Sequence, residues 1–160
     1  MARAQDREAS TLRHEIVTML ERVVATLDGL DEASMNWRPP AAGANSLHVV
    51  AVHTLANAEE NICHAICGDA VERRRDEEFA TAGAPAVPLR ERWAELRTRI
   101  EACLSGLTDT DLGEERRHQR RGMLPVREFL LITLRHAAEH AGQAELTRDL
   151  LRGPDIRPMS

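Results

Sequence analysis

The chain of 160 residues contains no tyrosine, two phenylalanines and two tryptophans, so a core has to be assembled mainly from Leu, Val, Ile and Ala. That palette favours helices over sheets. No stretch approaches the roughly 20 consecutive apolar residues of a membrane span, and Met1 to Ser10 carry no apolar segment of the secretory kind. A cytoplasmic protein with no membrane partner is the expectation. Cysteine is scarce: Cys63, Cys67 and Cys103 form an odd set without regular spacing, which suits a reducing compartment and three free thiols. An excess of cations is also missing. The net charge of −5 argues against a general nucleic-acid-binding surface, because neutralising phosphates takes a surplus of Lys and Arg on one face. There is no Walker loop, GxGxxG, HExxH or zinc-ribbon cysteine pattern, so nucleotide chemistry has no support. Small-molecule or protein partners are left.

What is present is helical periodicity in a chain long enough for one domain. Leu12, Ile16, Met19, Val23, Leu27 and Leu30 recur at the spacing of one helix face and predict a first helix from about residue 6 to 28, stopped by Gly29. Trp37-Arg38-Pro39-Pro40 and Gly43 force an irregular connection. Asn45 or Ser46 then caps a second helix, about 46–67, ended by Gly68. From Leu47 to Ala56 this helix is apolar nearly all round, which predicts burial on more than one side. Gly68 to Pro88 reads as a long crossover with one short helical turn around Val71 to Phe79. Leu89, Trp93, Leu96, Ile100, Cys103 and Leu107 mark a third helix, about 88–107, and Pro88 suits its first turn. A polar segment ends at Gly122, and a fourth helix follows, about 125–151, closed by Gly153-Pro154.

The predicted fold is therefore all-α, a four-helix bundle. Leu27-Asp28-Gly29-Leu30 and Leu104-Ser105-Gly106-Leu107 end helices one and three alike. With the long joint between two similar halves, the topology is expected to be up-down-down-up, leaving helices two and four antiparallel. A plain up-and-down bundle is the alternative.

Seven histidines are present. On helix four, Phe129, Ile132, His136, His140 and Gln143 follow one stripe, so both imidazoles continue an apolar face into the bundle. Histidines at i and i+4 can chelate one ion. Helix two offers His48, His53 and His64 for a third ligand. If helices two and four are antiparallel, His53 lies level with His140, whereas His64 falls about 16 Å farther along the axis and His48 is rotated by roughly 140° onto another face. His53 is the best third donor. Buried histidines that merely satisfy a carbonyl are the competing reading. His14 and His118 lie outside this set and read as surface residues.

These residues carry a resemblance. Leu134-Arg135-His136-Ala137-Ala138-Glu139-His140-Ala141-Gly142-Gln143 resembles the C-terminal HxxxH and Gly-Gln motif of the DinB/YfiT-like superfamily. Trp37-Arg38-Pro39, then Asn45-Ser46-Leu47 and His53, resembles its tryptophan-proline turn, helix start and first metal-binding histidine. In order and spacing the likeness spans nearly the whole chain, although Ala141 stands where relatives often carry a basic residue. The resemblance implies a DinB-like four-helix bundle of up-down-down-up topology, with a three-histidine site for nickel, zinc or a similar divalent ion. A homodimer is a further implication, as is a thiol transferase or isomerase using a low-molecular-weight thiol such as mycothiol or bacillithiol.

Three neutral imidazoles leave at least one coordination position open, as reactive rather than closed structural zinc sites do. An ion there can activate water or a thiol, so hydrolysis and thiol transfer are both within reach. Glu60 and Asn57, at i+7 and i+4 from His53, share its side of helix two, and Glu60 is the candidate general base. An ion-paired carboxylate is the other reading of Glu60, with Glu59 an adjacent competitor. Gln143 either hydrogen-bonds behind His140 or packs. Cys63 and Cys67 read as small core residues. Arg73-Arg74-Arg75, offset by Asp76, Glu77 and Glu78, reads as a solvated mixed run. Arg116, Arg117, Arg120 and Arg121 form a basic patch, either a plain polar loop or one reaching over the site to hold an anion. Trp37 and Trp93 read as packing residues. The leading expectation is a metal-dependent transferase or hydrolase acting on a small molecule. The alternative is a non-catalytic, metal-stabilised, stress-associated or interaction bundle.

Overall fold

The computed structural model describes residues 7–71, 73–80 and 86–153. The expected helix start at residue 6 and the closing Pro154 lie outside them. Helix α1 (Arg7–Ala25) buries Leu12, Ile16, Leu20, Val23 and Val24 along one stripe. Its first free N–H groups are satisfied from far along the chain, where Asp109 Oδ1 accepts from the Ala9 amide at 2.8 Å. The helix ends a turn earlier than the periodicity predicts, because residues 26–29 form a turn that closes on Gly29 at φ +70°. A short helix, α2 (Glu32–Asn36), occupies part of the expected irregular connection and is capped by Asp31, which accepts from the Ser34 amide at 2.8 Å.

Ser46 caps α3 (Leu47–Ala58) by accepting from the Val49 amide. Ten of its twelve residues are buried, as its all-round apolar pattern predicts. The chain then continues without a break as a π-helical segment (Glu59–Ile66) and turns away at Gly68, φ +81°. The crossover carries α4 (Arg75–Ala80), which overlaps the region where a helical turn is expected and runs one residue past it. Helix α5 (Ala86–Leu104) turns Leu89, Trp93, Leu96, Ile100 and Leu104 inward. Trp93 also donates its indole N–H to Glu21 at 2.6 Å, across to α1.

The polar segment before the last helix is an antiparallel hairpin, β1 (Glu115–His118) and β2 (Gly122–Pro125), paired from Glu115↔Pro125 to His118↔Gly122. Sequence patterning missed it because neither four-residue strand alternates apolar and polar residues. His118, expected on the surface, is 4% exposed, stacks on Phe129 at 5.7 Å and accepts the Arg120 amide N–H. Helix α6 (Val126–Arg152) packs on α1 and α3, and Phe129, Leu130, Ala137, Ala141 and Ala144 supply its buried face.

The cysteines overturn the expectation of three free thiols. Cys67 and Cys103 form a disulfide across a sequence separation of 36 residues, joining the end of the π segment to α5. Only folding reveals the pairing, since one packing contact brings two helix positions within 6.0 Å between Cα atoms. Cys63 stays a free, buried thiol whose pKa burial pushes up to about 11. Reducing the disulfide releases a long closed loop, so the expected loss in stability is about 4 kcal/mol. Urea unfolding with and without a phosphine reductant checks this, and unchanged midpoints would contradict it.

Candidate metal centre

Position on two packed helices brings the three imidazoles together. His53 sits nearly two turns into α3, and His136 and His140 occupy successive turns of α6. Their ligand-capable nitrogens all lie within 4.8 Å of one another, and His53 Nε2 is 3.0 Å from His136 Nε2. Two nitrogens on one tetrahedral ion, each about 2.05 Å from it, would be about 3.3 Å apart. The His53–His136 pair is thus spaced much as donors to a shared ion would be, and the whole set, within 4.8 Å, is close enough that it could hold one.

The outer ring nitrogens are occupied. Glu78 Oε2 lies 2.7 Å from His53 Nδ1, and Gln143 Oε1 lies 2.9 Å from His140 Nδ1. An ionised carboxylate only accepts, so His53 carries its proton on Nδ1 and keeps the Nε2 lone pair for the centre of the cluster. Burial would raise the Glu78 pKa, but hydrogen bonds from Arg73 and His53 outweigh it and hold the carboxyl below its usual range. His136 Nδ1 is buried without a hydrogen-bond partner. Burial, then the charges of His140 and His53, push the His136 pKa down to about 3, with smaller contributions from Arg73 and Arg75. Burial also lowers His53, against the pull of Glu78. His53 and His136 are thus held as neutral nitrogen donors near pH 7, the kind a zinc-like or nickel-like ion takes.

A buried charge network stands behind His53. Arg73 donates from Nε to Glu78 Oε1 at 2.6 Å, from Nη2 to Glu78 Oε2 at 2.9 Å and from Nη1 to Glu60 Oε2 at 2.6 Å. Arg120 reaches the same Glu60 oxygen from the hairpin turn at 3.0 Å. Arg73, Glu60 and Glu78 each have about 6% of their side chain exposed. The arginine run is thus not a wholly solvated face, because folding of the crossover inserts its first member while Arg74 pairs with Glu77 at the surface. Glu60, the candidate general base, is bound to two guanidinium groups, and it is not among the residues lining the cleft at the imidazoles. Asn57 accepts from Asn61.

That cleft, about 310 Å³, is lined by Asn45, Val49, Val50 and Phe79 together with Arg75 and the three histidines. His48 and His64 fall outside it: His48 is buried elsewhere on α3, and His64 bonds the Asp69 carbonyl and Gln119. Sequence reasoning missed Glu78, Arg73, Arg75 and Phe79. Nothing in their spacing relates them to the histidines, and only the path of the crossover over α3 does so.

The depressed imidazole sets a pH dependence. Below an unfolded value near 6.5 the unfolded chain binds a proton that folded, metal-free His136 refuses down to about 3. Its contribution to stability is therefore full above pH 6.5 and falls as pH drops, by up to about 1.4 kcal/mol per unit. His48, His53 and His118 shift in the same direction, and Glu78 adds a loss at lower pH. Urea unfolding of chelator-treated protein from pH 7.5 to 4.5 measures the slope, and a flat profile would contradict it.

Among curated proteins, a sequence search finds no match. Several solved chains share the fold, and two illustrate the likeness. A conserved protein of Enterococcus faecalis aligns with a TM-score of 0.69 at 17% identity, over 91% of this chain and 97% of that one. A DinB-like protein of Bacillus cereus aligns with a TM-score of 0.61 at 24% identity, over 81% of this chain and 83% of that one. The sequence profile of the DinB superfamily matches residues 15–144, from α1 through both α6 histidines. With most of its length matched and its helices in a shared fold, the chain belongs to the DinB superfamily.

Proposed function

We propose that the protein is a metal-dependent enzyme, a thiol transferase or hydrolase, in which His53, His136 and His140 hold one divalent ion, nickel or zinc. The observation that carries this reading is the convergence of three imidazoles on the wall of an open cleft rather than inside a closed core. Three protein donors characterise reactive zinc sites, whereas structural sites close with four. When bound, the ion supplies Lewis acidity and lowers the pKa of a water or thiol at its open position. Glu78 orients His53 through Nδ1, and Gln143 does the same for His140. Val49, Val50 and Phe79 give the cleft an apolar wall. The same reading takes the four long helical segments as an up-down-down-up bundle, with α3 and α6 antiparallel and their histidines level.

A non-catalytic ion that fastens α3 to α6 is the second reading, favoured by ligands that come from two mutually packed helices. Nickel- or zinc-loaded protein is to be assayed with mycothiol or bacillithiol plus an electrophile, and separately with an activated ester. Turnover that disappears with chelator and in His140→Ala supports the enzyme. Metal-dependent stabilisation without turnover of any substrate class supports the fastening role.

A further inference from the structure

We infer that the cleft over the three imidazoles takes a small organic acid, whose carboxylate meets Arg75 while a second donor faces the ion. The inference rests on the three histidines being the metal ligands. Of three consecutive arginines, Arg73 is committed to Glu60 and Glu78 and Arg74 pairs with Glu77. Arg75 has no carboxylate partner among the described residues. Its guanidinium lies 5.9 Å from the Phe79 ring centroid, and both side chains line the cleft.

Charge balance points to the ligand. No carboxylate lines the cleft among the described residues, where the polar groups are Asn45, three imidazoles and Arg75. The negative charges closest behind the site are already answered, Glu78 by Arg73 and Glu60 by Arg73 and Arg120. A divalent ion on imidazole ligands, beside the exposed Arg75 guanidinium, would give the cleft a net positive charge that favours an anionic ligand. A carboxylate matches the guanidinium fork better than a neutral group does. Val49, Val50 and Phe79 offer an apolar surface to the carbon chain, and about 310 Å³ is at the small end of ligand pockets, so that chain is short.

Cobalt(II)-loaded protein allows a direct test, because a cobalt–thiolate absorption band reports sulfur at the ion whatever the turnover. Two probes differ only in the acid group: 3-mercaptopropionate and its methyl ester. In wild type the acid is expected to bind at least about tenfold more tightly. In Arg75→Gln the preference should shrink below about twofold, with cobalt content and ester affinity unchanged, and Arg75→Lys should keep part of it. Equal affinity of wild type for the two probes, a preference that survives Arg75→Gln, or no binding of either probe to fully loaded protein would overturn the inference. Failure of wild type to take up cobalt would instead sink the reading of the histidines as ligands, which makes the two failures distinguishable.

Discussion

Replacing Arg73 with methionine is expected to destabilise the protein by about 3–5 kcal/mol, because it strips the partner from buried carboxylates without returning them to water. The guanidinium makes three hydrogen bonds of 2.6–2.9 Å, two to Glu78 and one to Glu60, and all three side chains are almost wholly buried. Glu60 retains Arg120, whose side chain is half exposed, whereas Glu78 retains only a neutral imidazole. At roughly 2–4 °C per kcal/mol for a chain of this size, the melting temperature should fall by about 6–20 °C. The double substitution Arg73→Met with Glu78→Leu should cost less than the two single changes combined, since it removes both members of a buried pair. A loss below about 1 kcal/mol for Arg73→Met would mean that the network behaves like surface ion pairs.

Metal loading is expected to have the second large effect. An ion that binds the folded chain alone stabilises it by about 4 kcal/mol at a thousandfold excess over its dissociation constant. Melting should rise by roughly 8–16 °C in wild type. It should not move in His53→Ala or His140→Ala, where two nitrogens cannot replace three. Glu78→Gln should retain binding with about 10–100-fold weaker affinity, because an amide orients His53 less firmly than a carboxylate. Calorimetry with added nickel or zinc reads both results, and equal shifts in wild type and His140→Ala would refute the ligand assignment.

How much of this was legible in the sequence differs between helices and crossover. The stripes Leu12–Ile16–Val23 and Leu89–Trp93–Leu96–Ile100 define α1 and α5 because a buried face repeats every turn. Ser46 announces α3, and spacing alone puts His136 and His140 on one side of α6. His53 required an assumed antiparallel pairing, and the structure sets it beside both. The hairpin left no pattern, since Glu115–His118 is polar throughout although its burial alternates, and Gly122–Pro125 leaves its Met123 exposed. The charge network was invisible for a different reason. Arg73 and Glu78 belong to a segment whose composition reads as solvated, and their burial follows from where a crossover lies on α3, a long-range property no local window contains. The disulfide escaped in the same way, its partners being set by the packing of the π segment on α5.

The most direct test of the central claim is elemental analysis of purified protein, wild type beside His53→Ala, His136→Ala and His140→Ala, with His48→Ala and His64→Ala as controls outside the cluster. One equivalent of a divalent metal is expected in wild type and in both controls, with strong depletion in each of the three cluster variants. Undiminished metal in the cluster variants would contradict the account, as would a wild type that takes up none when nickel or zinc is supplied.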